Sequence, residues 1–379
     1  MGVADGDGGE RRGRARRPVL NGRAPKAPAK TAAGQARARA GVVEHWRSGG
    51  AQAADARPMT SSLSAFQPSG PMPGVSLVLC TYQRPDSVKR FLDSVSAQTR
   101  PVDELIVVDA SRDEATGAVV ASWHGSRDVA YWRVEDPLRG LTRQRNFALE
   151  TVAYDLTAFF DDDVVLEPDC VAEMERAHRA SPGLAGVGCF AEPSIPPTRL
   201  WRLRRALGIV PHLRPGSYTR TGMSVPWRFH EPTNQVIEGD WLPGCAMLLK
   251  TEAARQVRFD EALAGYGQGE DLDFSLRLRH EGRIAMVGAA HCEHLHASAG
   301  RPNAFRLGHM EICNRHLIWR RVYRRPRVLD RLGFGYAWTL DTILLVRDAV
   351  RPRYAVNGVR RIAGRLIGAS RVLTNRPIA

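Results

Sequence analysis

Three apolar runs limit this chain most. VSLVLC at 75–80, LIVV at 105–108 and LTAFF at 156–160 are hydrophobic but for Ser76 and Thr157, and each stops abruptly at polar residues: Thr81-Tyr82, Asp109, and Asp161-Asp162-Asp163. A strand that is apolar on both faces must be covered on both. That arrangement belongs to parallel strands joined by crossover helices. The intervening segments supply the helices: Val88, Phe91, Leu92 and Val95 recur at helical spacing after the first run, and LTRQRNFALETV precedes the third. A weaker strand is expected at VAYWRV, 129–134. In such sheets functional groups gather beyond the carboxyl ends of the strands. Residues far apart in sequence should therefore converge on one crevice.

Three adjacent carboxylates at a strand end repel one another, and a divalent cation is the simplest way to keep them ionised. A DDD triplet alone, however, is most often a solvated loop or helix cap. Its meaning depends on the rest of the chain.

The 379 residues, 43% hydrophobic and 25% charged, suit one large α/β domain with appendages. Charge is unevenly distributed. Residues 1–70 hold 12 Lys+Arg against 5 Asp+Glu, 71–300 hold 25 against 31, and 301–379 hold 17 against 4. An acidic centre with a strongly basic C-terminal region suggests catalysis in the middle and docking on an anionic surface at the end. The Ala-, Arg-, Gly- and Pro-rich residues 1–70 are expected to be a disordered basic tail, 71–300 the catalytic domain, and 301–379 a helical basic region. In NGVRRIAGRLIGASRVL, Val359, Ile362, Ala363, Leu366, Ile367 and Leu373 share a helical face, with Arg360, Arg361 and Arg365 toward the other. Such a stripe fits either a core-facing helix or one lying on anionic lipid.

No run approaches the roughly 20 apolar residues that span a bilayer. The nearest, 332–346, carries Asp341 in its middle. The first residues lack the apolar core of a secretory signal. Cysteines 80, 170, 189, 245, 292 and 313 form no CxxC pair, so buried thiols in a reducing compartment are expected rather than disulfides or zinc. The expected location is cytoplasmic, peripheral on the inner face of the cell membrane.

VSLVLCTYQRPDSVKRFLDSVSAQTRPVDELIVVDAS, GLTRQRNFAL, FFDDDVVLEPD, LPGCAMLLKTEA and FDEALAGYGQGEDLDFSLRLRHEG resemble, in order, the successive motifs of glycosyltransferase family 2. The resemblance covers roughly residues 75–300. It implies the GT-A fold, a Rossmann-like αβα sandwich with a mostly parallel central sheet, here followed by the helical basic extension. It also implies transfer of one sugar, with inversion, from a nucleoside-diphosphate sugar to an acceptor hydroxyl on a glycan or lipid-linked acceptor.

The resemblance assigns roles position by position. Thr81, Tyr82 and Asp109 would hold the nucleotide base and ribose. Arg84 and Arg145 would meet the diphosphate, as planar cations with several donors do well. Asp161 and Asp163 match the DxD positions, with Asp163 the direct ligand of Mg²⁺ or Mn²⁺ and Asp161 and Asp162 near the ribose and the metal's waters. A histidine beyond the ED segment would complete the metal site. His294 aligns best, with His291 and His296 close enough to compete. Asp271 would be the general base that deprotonates the acceptor, and Glu270 its neighbour on acceptor or backbone. Ala110 stands where the family often has a second acidic residue or Asn, so the base that is read stays open. The QxxRW motif of processive members is missing, which favours addition of a single sugar.

Other classes fit less well. A nucleotidyltransferase would show a glycine-rich phosphate loop after the first strand, and CTYQRPD is not one. A dinucleotide oxidoreductase would show GxGxxG there. A nucleic-acid-binding protein could use the basic termini, but the presumed cleft is acidic and no recognition motif appears. Donor and acceptor are not readable. The Pro- and Trp-rich stretch 190–240, without a clear period, is the expected acceptor loop.

Overall fold

The structure, a computed structural model, describes residues 42–47, 72–125, 128–263, 265–297, 302–346 and 355–374. In chain order its elements are β1 (Val42–Arg47), β2 (Met72–Thr81), α1 (Pro85–Ser96), β3 (Glu104–Asp109), α2 (Ala115–Ser122), β4 (Val129–Val134), α3 (Leu141–Thr151), β5 (Tyr154–Asp161) and β6 (Val164–Leu166). There follow α4 (Cys170–Arg179), β7 (Leu184–Phe190), α5 (Arg199–Ala206), β8 (Val236–Glu238), β9 (Ala246–Lys250), α6 (Thr251–Val257), α7 (Glu270–Leu278), β10 (Arg283–His294), α8 (Ala304–Val322), α9 (Val328–Leu344) and α10 (Ala355–Leu373).

The apolar runs form the centre of one sheet, with β2 parallel to both β3 and β5 and β3 parallel to β4. Thr81 sits opposite Asp109 and Cys80 opposite Asp161, so the polar strand ends lie level along one edge. Beyond β5 the sheet is mixed. β9 runs antiparallel to β5 and to β7, and β7 then pairs in parallel with β10. Helices cover both faces. On one, α1 buries Val88, Phe91, Leu92 and Val95, the four positions that its spacing predicts. On the other, Phe147 and Leu149 of α3 pack with Phe274 and Leu278 of α7. The result is an αβα sandwich with a helical C-terminal extension. All six cysteines are buried free thiols.

Part of the segment expected to be a disordered tail is ordered. Residues 42–47 form an edge strand antiparallel to β4, with Trp46 stacked on Tyr131 and His45 on Trp132. The remainder of 1–70 lies outside the described residues. The C-terminal helices also join the catalytic unit more closely than an appendage would. Asn314 donates to the Gln268 carbonyl (2.8 Å), and Arg321 pairs with Asp260 and Asp273. Trp319 donates to the Arg220 carbonyl (2.7 Å). No described helix is long and apolar enough to cross a membrane.

Candidate active site

A cavity of about 1210 Å³ opens at the carboxyl ends of β2, β3 and β5. It exceeds the ~300–1,000 Å³ of ordinary ligand pockets, leaving room for a nucleotide sugar together with an acceptor. Thr81, Tyr82, Arg84, Asp161, Asp162, Asp163, Glu270, Asp271 and His294 all line it.

Strand pairing builds the acidic end. The short β6 follows the triplet and runs antiparallel to the end of β10, with Val164 opposite His294. This register sets the His294 Nε2 2.8 Å from Asp163 Oδ1. Ligand atoms of Asp161, Asp163 and His294 lie within 4.8 Å of one another. His296 instead meets Glu192 (3.2 Å), and His291 packs on Phe190. Of the three, His294 is the one that bonds a carboxylate of the triplet, while His296 packs against the His294 ring, 4.1 Å between centroids, and lines the same cavity.

The electrostatics also favour a cation. Burial pushes the Asp161 carboxyl above its usual range, and the Asp163 and Asp271 charges add to that push while Arg145 opposes it. Burial likewise raises Asp162 to about 6, against the pull of Arg84 and Thr81. Asp163 behaves differently. Its burial is outweighed by His294, the Ala297 N–H and Arg84, which hold it low, and Asp163 in turn raises His294 against desolvation. Two carboxylates and one imidazole are a mixed oxygen and nitrogen donor set that suits a divalent cation. Such an ion would relieve the repulsion that burial leaves in place.

Asp162 turns away from this cluster. Its oxygens accept from Thr81 Oγ1 and from Arg84 Nη1, both at 2.7 Å. The loop after β2 is thereby tied to the end of β5. Arg84 remains on the cavity wall.

The ED pair begins α7, whose N-cap Gly269 takes a left-handed conformation (φ 83°). Asp271 accepts from the Gly244 N–H (3.1 Å) and the Leu272 N–H (2.8 Å). Gly244 must be glycine, because a Cβ there would lie 2.9 Å from both Asp271 Cβ and Glu270 Oε1. Burial raises the Asp271 carboxyl, and these two N–H groups and Arg145 oppose the shift. Burial and the adjacent Asp271 charge push Glu270 up, and Arg145, 2.9 Å away, opposes them.

Two residues lie elsewhere than expected. Arg145, predicted to meet a diphosphate, is 1% exposed and does not line the cavity. Its guanidinium donates to Glu270 (2.9 Å), Asp161 (3.0 Å) and the Gly244 carbonyl (2.8 Å). It lies behind the wall, joining the metal side of the site to the ED side. Asp109, predicted to read the base, is fully buried, with its oxygens taken by Tyr131 Oη (2.7 Å) and the Ser111 N–H (2.8 Å). Burial pushes its carboxyl up. At that strand end Ala110 and Arg112 face the cavity instead.

The opposite wall carries residues with no recognisable motif. Trp227 comes from the irregular stretch 190–240, Trp241 directly follows it, and Arg306 and Met310 come from α8. Only the Pro- and Trp-rich composition around that stretch signals the tryptophans, and no sequence pattern marks the α8 pair.

Residues 76–246 match the family model described as Glycosyl transferase family 2. Among curated proteins, validoxylamine A glucosyltransferase of Streptomyces hygroscopicus subsp. jinggangensis is 27% identical over 229 residues, which cover 56% of this chain and 52% of that protein. The chain thus spans about half the length of the curated relatives it matches. Among solved structures, the mannosyltransferase PcManGT of Pyrobaculum calidifontis, in complex with GDP-Man and Mn²⁺, superposes with a TM-score of 0.51 at 15% identity, covering 81% of this chain and 90% of that one. GalNAc-T7 with UDP, GalNAc and Mn²⁺ gives a TM-score of 0.50 at 13% identity, covering 81% of this chain and 58% of that one. At these identities the likeness is one of fold, and the fold is GT-A.

Proposed function

We propose that the protein is an inverting, divalent-metal-dependent glycosyltransferase, a reading supported by the match of residues 76–246 to the glycosyl transferase family 2 model and by the GT-A fold. It would move one sugar from a nucleoside-diphosphate sugar to a hydroxyl of a glycan or lipid-linked acceptor, in the synthesis of a glycan or glycolipid. The observation that carries this reading is the convergence of the Asp161, Asp163 and His294 cluster with Asp271 on one cavity.

Asp161, Asp163 and His294 would hold Mg²⁺ or Mn²⁺, the ion named with both structural neighbours. When bound, it would neutralise the charge that gathers on the departing diphosphate. Thr81 and Tyr82, which line the cavity at the end of β2, would hold the nucleoside, and Arg84 of the same loop, also on the cavity wall, would meet phosphate oxygens. On the other side Asp271 takes the acceptor's proton as that hydroxyl attacks the anomeric carbon. Two backbone N–H groups hold its carboxylate in orientation. Glu270, tied to Arg145, shapes the floor beneath it. Trp241, half-buried on the cavity wall, offers a flat apolar face of the kind on which a sugar ring packs, and the buried Trp227 backs it.

The test is release of nucleoside diphosphate from a panel of nucleotide sugars with candidate acceptors and Mn²⁺. At least one donor should turn over, with inverted configuration in the product and no turnover in EDTA. A retained configuration, or undiminished turnover in EDTA, would overturn the reading.

A further inference from the structure

Among the described residues, 11 of the 16 exposed large hydrophobic side chains lie between Val328 and Leu373. They are confined to α9, its last turn and α10. On α9, Val328, Leu332, Tyr336 and Ile343 recur every four or seven residues, so they form one stripe, with Leu329 (77% exposed) beside it. No charged residue falls within that stripe. The opposite side of α9 already faces the core through Phe334, Ala337 and Asp341. A helix whose inward face is already packed on the protein and whose outward face is apolar is out of place on a solvated surface.

α10 is more unusual, because its polarity is inverted. Its inward face is Gly364, Arg365 and Gly368. The glycines allow close approach to α8: a Cβ at Gly364 would lie 2.0 Å from the Phe305 carbonyl oxygen. Arg365 is buried between Glu311 (2.7 Å) and Asp341 (3.1 Å). With the arginine turned in, the apolar residues turn out. Val359, Leu366, Ile367 and Leu373 are exposed, Leu373 by 84%.

We propose that the outward faces of α9 and α10 together form a platform that lies on an anionic lipid bilayer. The charges decide between this occupant and a second copy of the chain. Arg324, Arg325, Arg327, Arg331 and Arg360 are exposed on the same helices and on the connection that leads into α9. The segment has only four carboxylates. Glu311 is taken by Arg361 and Arg365, Asp330 by Arg220, and Asp341 by Arg204 and Arg365, while Asp348 lies outside the described residues. Two copies meeting through these faces would set arginine against arginine. Anionic headgroups would complement the arginines, and acyl chains the apolar stripes. Neither helix is long and apolar enough to cross, so both lie in the plane of the surface.

The platform is one helix away from the cavity. Arg306 and Met310 of α8 line the cavity, while Phe305, Gly308 and His309 of the same helix pack on α10. That an acceptor held in the membrane would be served by this placement rests on the glycosyltransferase reading. The docking itself stands on the surface alone.

The full chain should sediment with vesicles of phosphatidylcholine containing phosphatidylglycerol, more weakly with phosphatidylcholine alone, and less as salt rises. Leu329→Glu with Leu332→Glu on α9, and Leu366→Glu with Ile367→Glu on α10, change exposed side chains and so spare the fold. Each pair should weaken vesicle binding at least ~10-fold. Undiminished binding by the variants, or no binding by the wild type, would overturn the proposal. So would a lipid-free dimer that the same substitutions dissociate, which would assign the faces to a second copy. Nucleoside diphosphate binding with Mn²⁺, measured on the same preparations without lipid, reads the glycosyltransferase account separately and should be unchanged in both variants.

Discussion

Asp271→Asn should lower kcat at least ~10²-fold, the low end of general-base contributions, while leaving the dissociation constant for the donor nearly unchanged. The substitution keeps shape and size and removes basicity. The Gly244 and Leu272 N–H groups now reach different oxygens of the carboxylate, Oδ2 and Oδ1, so the amide oxygen keeps one of these two bonds, and the melting temperature of the variant reads the loss of the other apart from kcat. Donor binding, in this account, depends on Thr81, Tyr82, Arg84 and the Asp161, Asp163 and His294 cluster rather than on the basicity of Asp271. The pH profile gives a second readout. A base acts only when ionised, and burial raises Asp271 above its ordinary value. Activity should therefore fall as pH drops through a point above the ~3.9 of an unperturbed aspartate. That limb should be missing from the residual activity of the Asn variant. Near-normal kcat would move the base to Glu270, which lines the same wall. Asp273 is not a substitute, since Arg277 and Arg321 hold its carboxylate.

The largest effect on stability is expected at Arg145. Arg145→Met keeps bulk and apolar stem but leaves Glu270 and Asp161 facing each other without their shared cation. Breaking a buried pair by removing one partner costs about 3–5 kcal/mol. At roughly 2–4 °C per kcal/mol for a domain of 150–250 residues, the melting temperature should fall on the order of 10 °C. Adding Glu270→Gln should recover part of that loss, because the second substitution removes a carboxylate that the first leaves uncompensated. An unchanged melting temperature in Arg145→Met would show that the bridge is not what holds the two halves of the site together. The test also separates the observed position of Arg145 from the one the sequence suggests. A surface arginine on the diphosphate would alter donor affinity with little effect on melting.

What the sequence reveals, and what it hides, follows from the range of the interactions. β2, β3 and β5 are legible because continuous apolar runs need no partner to be recognised, and their polar ends identify the edge where the cavity opens. The triplet and the ED pair are legible through ordered motifs. The fate of a charge is not. Arg145 reads as a surface cation until Glu270, 125 positions away, is placed beside it. Asp109 reads as a free strand-end carboxylate until Tyr131 and Ser111 take its oxygens. β1 escapes notice because VVEHWR is too short to stand out from a polar, glycine- and arginine-rich surrounding. The α10 stripe is visible as periodicity, but its direction depends on Gly364 and Gly368 drawing the helix onto α8, which is a packing event. Choice among His291, His294 and His296 likewise required the register of β6 on β10.

The central claim is that Asp161, Asp163 and His294 hold a divalent cation through which a nucleoside diphosphate binds. Calorimetric titration of the wild type with UDP and with GDP, in Mn²⁺ and then in EDTA, tests it most directly. At least one diphosphate should bind in Mn²⁺ and weaken by about 100-fold or more in EDTA, a loss of about 2.7 kcal/mol, and Asp163→Ala should bind in Mn²⁺ no better than the wild type does in EDTA. Equal binding in Mn²⁺ and EDTA, or an Asp163→Ala protein that still binds as the wild type does, would contradict the account.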